Sequence, residues 1–147
     1  MSQSSCFVTD IQHFSDETSQ LPLPLYASIV PAGFPFHGDD HSDRSLDLND
    51  YLVKNKASTF FVRVSGSSMK NAGIQENDIL VVDRSIPVQS NQIVIAAING
   101  ELTVKRFKKD KTGIYLDAEN PLYAPIHLRQ EEDLLIWGVV TSIVRKL

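Results

Sequence analysis

Three serines stand close together directly after an apolar run, in the segment Val64-Ser65-Gly66-Ser67-Ser68-Met69. An apolar strand that runs into a tight turn can present a serine hydroxyl as a nucleophile, with backbone N–H groups turned toward a developing oxyanion. Serine and glycine are also common in ordinary turns, so this segment alone favours a turn without chemistry. A prediction of catalysis needs a base as well.

A serine hydroxyl becomes a good nucleophile only when a base takes its proton, and that base is most often a histidine held by a carboxylate. The four histidines do not fit, because three lie in the polar N-terminal region and the fourth follows a proline in a loop-like stretch: His13, His37, His41 and His127. Lysine can replace histidine if burial lowers its pKa from about 10.4 toward neutrality.

Lys105 has the most apolar surroundings of the lysines, in the run Leu102-Thr103-Val104-Lys105-Arg106-Phe107. The others lie among polar residues or near a chain end: Lys54, Lys56, Lys70, Lys108, Lys109, Lys111 and Lys146. Alternation along a strand puts Lys105 and Arg106 on opposite faces, and the pattern does not say which cation points inward. Arginine is effectively never deprotonated, so only Lys105 could act as a base. A solvated Lys105 on an exposed strand face is the alternative.

The segments around these residues are short runs rich in β-branched and aromatic side chains, which is typical of strands. We predict strands at residues 59–64, 78–83, 92–98, 101–107, 113–118 and 133–144. Asn99-Gly100 predicts a tight hairpin that positions Lys105. Only residues 45–54 and a turn after Ser68 look helical, with Ser45 as the helix cap and apolar contacts from Leu46, Leu48, Tyr51 and Leu52. The predicted fold class is mainly β.

Residues 1–44 differ from the rest, because they are rich in Ser, Asp, Gln and Pro and show no sustained period. We predict a flexible, extended N-terminal arm that ends in a polar linker at residues 37–44, followed by a folded domain at 45–147. His37 and His41 lie beside aspartates in this linker, but a polar run without fixed geometry is typical of solvated chain. The single cysteine, Cys6, cannot form an internal disulfide. We therefore predict no metal site and no cofactor for the chain, and we assign no role to Cys6.

The composition limits the class of protein further. A chain of 147 residues with 42% hydrophobic residues is long enough for one domain with a real core plus a tail. The formal net charge of -4 argues against binding nucleic acid by neutralising phosphates. No run approaches the roughly 18 apolar residues that a membrane span needs, and the N-terminus lacks the pattern of a secretory signal. We expect a cytoplasmic protein without direct sequence-specific nucleic-acid binding.

Four runs of the chain form a recognisable set: Leu46-Asp47-Leu48-Asn49, Phe60 to Met69, Asp78-Ile79-Leu80-Val81-Val82-Asp83 and Gly100-Glu101-Leu102-Thr103-Val104-Lys105. They resemble the LexA-like self-cleaving serine peptidases, and among them the UmuD type of SOS mutagenesis protein. The similarity extends from about Pro24 to the C-terminus, and Val-Ser-Gly-x-Ser-Met followed by Thr-Val-Lys is its specific signature. The resemblance implies a β-rich catalytic domain like that of LexA and signal peptidase.

The resemblance also implies roles for individual residues. The serine before methionine is the family's nucleophile, here Ser68, and the lysine of Thr-Val-Lys is its base, here Lys105. The family's cleaved bond precedes a glycine in the N-terminal arm, which matches Ala32-Gly33. A small residue before the bond and a glycine after it also let the backbone approach a serine closely. Ser67 stands where such relatives often have Asp, and backbone N–H groups of Ser67 and Ser68 are expected to hold the oxyanion.

The partners that the resemblance implies are a second copy of the chain, a RecA–nucleoprotein filament that stimulates cleavage, and an error-prone translesion DNA polymerase of the UmuC type. Two other functions stay open. One is a LexA-like repressor, which would need a DNA-binding domain that the proline-rich arm does not supply. The other is a catalytically silent β-rich interaction module, in which Lys105 is not buried.

Overall fold

The computed structural model describes residues 5–13, 20–25, 32–33, 44–128 and 134–147. These residues fall into two compact units. The larger unit contains residues 5–13 together with 55–128 and 134–147, and the smaller unit contains the described residues between 20 and 54. Both candidate catalytic residues, Ser68 and Lys105, lie in the larger unit.

The described chain is built mainly from strands, as the sequence predicted. In chain order the elements are β1 (Phe7–His13), β2 (Leu23–Leu25), β3 (Arg44–Leu46), α1 (Leu48–Leu52), a 3₁₀ turn (Lys56–Ser58), β4 (Thr59–Ser65), a second 3₁₀ turn (Lys70–Ala72), β5 (Ile79–Asp83), β6 (Ile93–Ile98), β7 (Glu101–Asp110), β8 (Gly113–Asp117), β9 (Ile126–His127) and β10 (Leu134–Val144). All six predicted strands are present, with the described ends shifted by three residues or fewer.

The larger unit is one antiparallel sheet of eight strands in the order β1-β4-β5-β10-β6-β7-β8-β9. β1 also pairs with β7, at Phe7 and Thr103, so six of the strands form a closed ring. The predicted hairpin between β6 and β7 is confirmed, with Ile98 opposite Glu101. Its turn residues Asn99 and Gly100 have φ of 50° and 85°, the positive values that a two-residue hairpin turn requires.

The core lies inside this sheet and extends under the serine turn. One cluster of buried side chains joins β4, β5, β6 and β7 to the turn: Cys6, Phe60, Val62, Val64, Met69, Ile74, Leu80, Val82, Ile95 and Val104. Met69 and Ile74 flank the second 3₁₀ turn and are almost completely buried. Full burial of a side chain of this size stabilises a fold by about 1.5–3 kcal/mol, so these two residues anchor the segment that follows Ser68.

The smaller unit contains the helix that the sequence predicted, but its cap was assigned wrongly. Ser45 lies in β3, where it pairs with Pro24 of β2. The N-cap is Asp47, whose carboxylate accepts the backbone N–H groups of Asn49 at 2.9 Å and Leu21 at 2.7 Å. A carboxylate can satisfy two donors at once, which explains why it takes the cap position. The expected apolar contacts are also wrong in part, because Leu48 and Tyr51 are exposed.

The N-terminal region contains a strand that the sequence did not predict. β1 pairs with β4 from Phe7 opposite Ser65 to His13 opposite Phe60, with a register shift between Val8 and Asp10. The run Phe7-Val8-Thr9 has the β-branched and aromatic residues typical of a strand, but it is short and interrupted by Asp10. The division into an arm and a domain at residues 44 and 45 stays a prediction. The linker histidines, His37 and His41, lie outside the described residues.

Candidate active site

The serines of the turn differ in their burial. β4 ends at Ser65, Gly66 follows with φ of 93°, and the chain then turns at Ser68 and Met69 into the second 3₁₀ turn. Ser68 has no exposed surface, whereas Ser67 is exposed and its Oγ lies 3.5 Å from the Tyr123 hydroxyl. Ser68 is therefore the serine whose hydroxyl points into the protein.

Lys105 on β7 reaches this buried hydroxyl. Its Nζ lies within hydrogen-bonding distance of Ser68 Oγ, at 3.1 Å, and the residue is only 3% exposed. Burial lowers the pKa of the Lys105 amine from its ordinary value of 10.5, against smaller opposing effects of Cys6 and Asp117. The structure thus brings Ser68 and Lys105 together, and of the neighbouring cations Lys105 and Arg106 it is Lys105 that faces inward. Arg106 points away and forms an ion pair with Glu119.

Two further groups line the Ser68–Lys105 contact. The backbone N–H of Cys6 donates to Ser68 Oγ across 2.8 Å. The ring of Tyr123 lies beside the amine, with 5.7 Å between Lys105 Nζ and the ring centroid. Together they shield the pair from water, and a water-poor surrounding strengthens electrostatic interactions inside the site.

The loop after β8 fixes the shape of the serine turn. The side-chain amide of Asn120, which is buried, donates to the carbonyl of Ser67 across 2.9 Å and accepts the N–H of Leu122. One residue earlier, the carbonyl of Glu119 accepts the N–H of Asn71 across 2.8 Å. These long-range hydrogen bonds hold both sides of Ser68, so its hydroxyl has a defined position before any substrate arrives.

An ion pair between the buried Asp78 and the exposed Arg145 fixes the far end of the loop that follows Ser68. The carboxylate of Asp78 accepts two hydrogen bonds from the guanidinium of Arg145, each of 2.6 Å, and one from the N–H of Gln75. Arg145 also donates to the carbonyl of Gly73. The Arg145 hydrogen bonds hold the pKa of Asp78 below its ordinary value of 3.8, against the opposing effect of burial.

Arg145→Met should destabilise the protein at pH 7, because it leaves the buried Asp78 carboxylate without its charged partner. Because the folded-state pKa of Asp78 is lowered, the pair stabilises the wild type above pH 3.8 and loses that effect as the pH falls through the folded pKa. The difference between the two proteins should therefore shrink below about pH 4. Urea unfolding at both pH values measures it.

The matched control is Arg63→Met, since Arg63 is an exposed arginine that donates to the carbonyl of Asn77 across 3.3 Å. We expect this change to cost less than about 0.5 kcal/mol. Equal destabilisation by the two variants would contradict a special role for the Asp78–Arg145 pair.

The residues of the expected cleavage site lie in the smaller unit. Ala32 and Gly33 are exposed and form part of a turn, and Gly33 has φ of 95°. Apart from its chain neighbours, no atom of the described residues lies within 4 Å of the position that a Cβ would occupy on Gly33. The bond between Ala32 and Gly33 is accessible, as a protease substrate requires. The chain at these two residues must change from a turn to an extended conformation before it can lie along a strand.

Sequence reasoning missed three groups around Ser68. Cys6 was given no role, but it is completely buried and bonded to the serine. The β-strand character of the run that follows it was the available signal. Nothing in the local sequence marks Asn120 or Tyr123, because each acts on Ser67 or Lys105 from more than fifteen residues away in the chain.

Fold and site together define the class of the protein. A β-rich fold in which a buried serine hydroxyl contacts a buried lysine amine is compatible with the Ser–Lys variant of the serine, histidine and aspartate triad. The chain belongs to the family described as Peptidase S24-like, whose model matches residues 24–141. This family includes self-cleaving serine peptidases.

Comparison with curated relatives shows which members of this family the chain is similar to. The chain is 42% identical to SamA of Salmonella typhimurium over 130 residues, which covers 88% of this chain and 90% of SamA. It is 40% identical to ImpA of Escherichia coli, with 84% of this chain and 83% of ImpA covered. It is 34% identical to the LexA repressor of Pseudomonas chlororaphis, over 92% of this chain and 67% of the repressor. These relatives place the chain with the UmuD-like SOS mutagenesis proteins of the family.

Two other kinds of feature are absent from the described part of the chain. Among residues 5–13, 20–25, 32–33, 44–128 and 134–147, no helix is long and apolar enough to cross a membrane. The same residues contain no group of three or more His, Cys, Asp or Glu side chains placed to hold a metal ion.

Proposed function

We propose that this chain cleaves itself once, between Ala32 and Gly33, with Ser68 as the nucleophile and Lys105 as the general base. The observation that supports this most directly is the 3.1 Å contact between Lys105 Nζ and Ser68 Oγ inside the protein. A lysine needs a lowered pKa to act as a base near neutral pH, and the burial of Lys105 lowers it.

The reaction is an acyl transfer in two halves. The neutral amine of Lys105 takes the proton of Ser68, whose oxygen attacks the carbonyl carbon of Ala32, while backbone N–H groups of Ser67 and Ser68 stabilise the oxyanion. The protonated amine then gives its proton to the nitrogen of Gly33 as the bond between Ala32 and Gly33 breaks. Water attacks the Ala32–Ser68 ester with Lys105 again as base, and the proton returns to Ser68.

The product that remains folded would be residues 33–147. We infer that this shortened form acts in the cytoplasm, in the SOS response, as an accessory subunit of an error-prone translesion DNA polymerase of the UmuC type. A RecA–nucleoprotein filament would favour the conformation in which the arm is docked, without supplying catalytic groups. A homodimer is the expected assembly. The support for these partners is the similarity to SamA and ImpA, whose sequence identity is higher and covers a larger share of the relative than the similarity to the LexA repressor.

Mass spectrometry of the purified protein tests the position of the cut in two conditions. In the first the protein is held alone at pH 10, and in the second it is held at pH 7.5 with and without a RecA filament. Ala32→Trp should slow the cut by about 100-fold, because a bulky side chain holds the scissile carbonyl away from Ser68. Ala27→Trp places the same bulk five residues earlier and should cut at the wild-type rate. A wild-type chain that stays intact in both conditions, or fragments that do not end at Ala32, would contradict the proposal.

A further inference from the structure

The N-terminal segment of the chain occupies the space beside Ser68. Both backbone polar groups of Cys6 are bonded there: its N–H donates to Ser68 Oγ across 2.8 Å, and its carbonyl accepts the N–H of Val104 and the hydroxyl of Thr103. The two hydrogen bonds to the carbonyl measure 3.2 Å and 3.0 Å. A peptide held through both its N–H and its carbonyl beside a nucleophile is held as a substrate strand would be.

The rest of this segment, β1, fills a groove between two strands. β1 pairs with β4 between Phe7 and His13 and with β7 at Phe7, and these pairings close the ring of six strands. Without β1, β4 and β7 would each present unpaired N–H and carbonyl groups at this gap. Such exposed edges bind extended peptides by adding a strand to the sheet.

The groove selects for a small side chain at one position. Cys6 has no exposed surface and packs in the main core, whereas Phe7, the next residue, is 39% exposed. Because interiors are close-packed, a larger side chain at the position of Cys6 would force its neighbours apart. Alanine and glycine fit such a position, and these are the residues on either side of the proposed cut.

β1 and a substrate strand cannot occupy this groove together. A serine hydroxyl has two acceptor lone pairs, and in this structure the N–H of Cys6 and the amine of Lys105 approach the oxygen of Ser68. A scissile carbonyl must come within about 3–3.5 Å of the same oxygen. The Cys6 peptide fills that space, so the arrangement is a resting state of the site.

We propose that the groove between β4 and β7 is a strand-binding site, that residues 5–13 occupy it in the uncut protein, and that they must leave before the Ala32–Gly33 segment can reach Ser68. The last step rests on the proposed self-cleavage. The ligand class of the groove is an extended peptide with a small side chain at the position of Cys6. Because residues 5–13 precede the proposed cut, the released fragment contains the segment that occupied the groove.

Cys6 is a built-in probe for this exchange because it is the only cysteine of the chain. Its thiol is buried, and burial raises its pKa to about 11, so iodoacetamide can modify it at pH 8 only when β1 leaves the groove. We expect labelling of the native full-length chain to be at least about 100-fold slower than labelling in urea. Equal rates in the two conditions would overturn the occupancy of the groove.

The variant Val8→Asp should weaken β1, because Val8 packs against the main core. We expect labelling of Cys6 and self-cleavage at pH 8 each to become about tenfold faster than in the wild type. The matched control is Val144→Asp, the same substitution at an exposed valine of β10, a strand that does not pair with β1, and it should change neither rate. Faster labelling without faster cleavage, in a protein whose wild type does cut itself, would overturn the exchange step.

A synthetic peptide of residues 5–13 separates this proposal from the proposed function. A fluorescein-labelled copy should bind the full-length Val8→Asp protein and slow its self-cleavage, and a scrambled peptide should do neither. Binding of the peptide in a protein that never cuts itself would support the groove and refute self-cleavage. Cleavage of Val8→Asp in the absence of any peptide binding would refute the groove.

Discussion

Ser68→Ala should reduce self-cleavage by at least about 10⁴-fold at every pH, because the loss of a nucleophile that works together with its base removes nearly all of the catalysis. Ser67→Ala should retain the wild-type rate within about threefold. The Ser67 hydroxyl is exposed, and its proposed part in catalysis is the backbone N–H, which alanine keeps. The measurement is the fraction of intact chain over time by mass spectrometry, at pH 10 and with a RecA filament at pH 7.5.

A folding control is needed for this comparison, since Ser68→Ala removes the hydroxyl that accepts the N–H of Cys6 and should cost about 1–3 kcal/mol of stability. Circular dichroism and urea unfolding show whether the variant is still folded under the assay conditions. A folded Ser68→Ala protein that cuts at the normal rate would exclude Ser68 as nucleophile. If Ser67→Ala alone stopped the reaction, the nucleophile would be the exposed serine.

Local features of the sequence determined those parts of the fold that could be predicted. Asn99-Gly100 specified the hairpin because few residues accept two consecutive positive φ values, and that hairpin places Lys105 on β7. The apolar run before Ser68 specified β4 because it combines high β-propensity with a turn signal at its end. Residue chemistry nominated a serine of the turn and Lys105, and the resemblance to the LexA-like peptidases singled out Ser68. The structure places Lys105 Nζ 3.1 Å from Ser68 Oγ.

Interactions between distant residues could not be predicted in the same way. Asp78 and Arg145 are 67 residues apart, and nothing near either residue indicates that they pair. The N-terminal strand was missed because it is marginal in sequence and depends on the edges of β4 and β7 for its stability. The burial of Cys6 was missed for the same reason, because Cys6 is buried only when β1 is paired. The local pattern therefore indicated the candidate pair, Ser68 and Lys105, but gave no information about the groups that pack against it.

The burial of Lys105 imposes a conflict between stability and chemistry. The charged amine is disfavoured inside the protein, so the folded pKa lies below 10.5. Over the pH range between the lowered pKa and 10.5 the unfolded chain binds the proton and the folded chain does not, so wild-type stability rises with pH in that range. Lys105→Met removes this conflict, and we expect it to be about 1–3 kcal/mol more stable than the wild type at pH 7 and inactive.

The pH dependence of self-cleavage should follow the neutral form of Lys105. Below the lowered pKa, the fraction of neutral amine increases tenfold per pH unit, so the rate should rise with a slope of about one logarithmic unit per pH unit and then level off before pH 10.5. Lys105→Arg should be inactive at every pH, with at least about a 10⁴-fold loss, because guanidinium is not deprotonated. Initial rates by mass spectrometry between pH 6 and 10.5 define the profile.

Other groups near the amine must be excluded as the source of this profile. The Cys6 thiol ionises only at about pH 11, and Cys6→Ala keeps the backbone N–H that reaches Ser68, so this variant should keep the slope of the profile. Because Cys6 raises the pKa of Lys105, its loss should move the plateau toward lower pH. Asp117 attracts the protonated amine and raises the pKa of Lys105, so Asp117→Asn should move the plateau to lower pH and speed the reaction at pH 7. A flat profile in the wild type, or cutting by Lys105→Arg at pH 10, would show that Lys105 is not the base. Two results together would link the rate to the charge on the Lys105 amine: a plateau at lower pH in Asp117→Asn, and no cleavage by Lys105→Met. Neither substitution alters Ser68 or the proposed scissile bond.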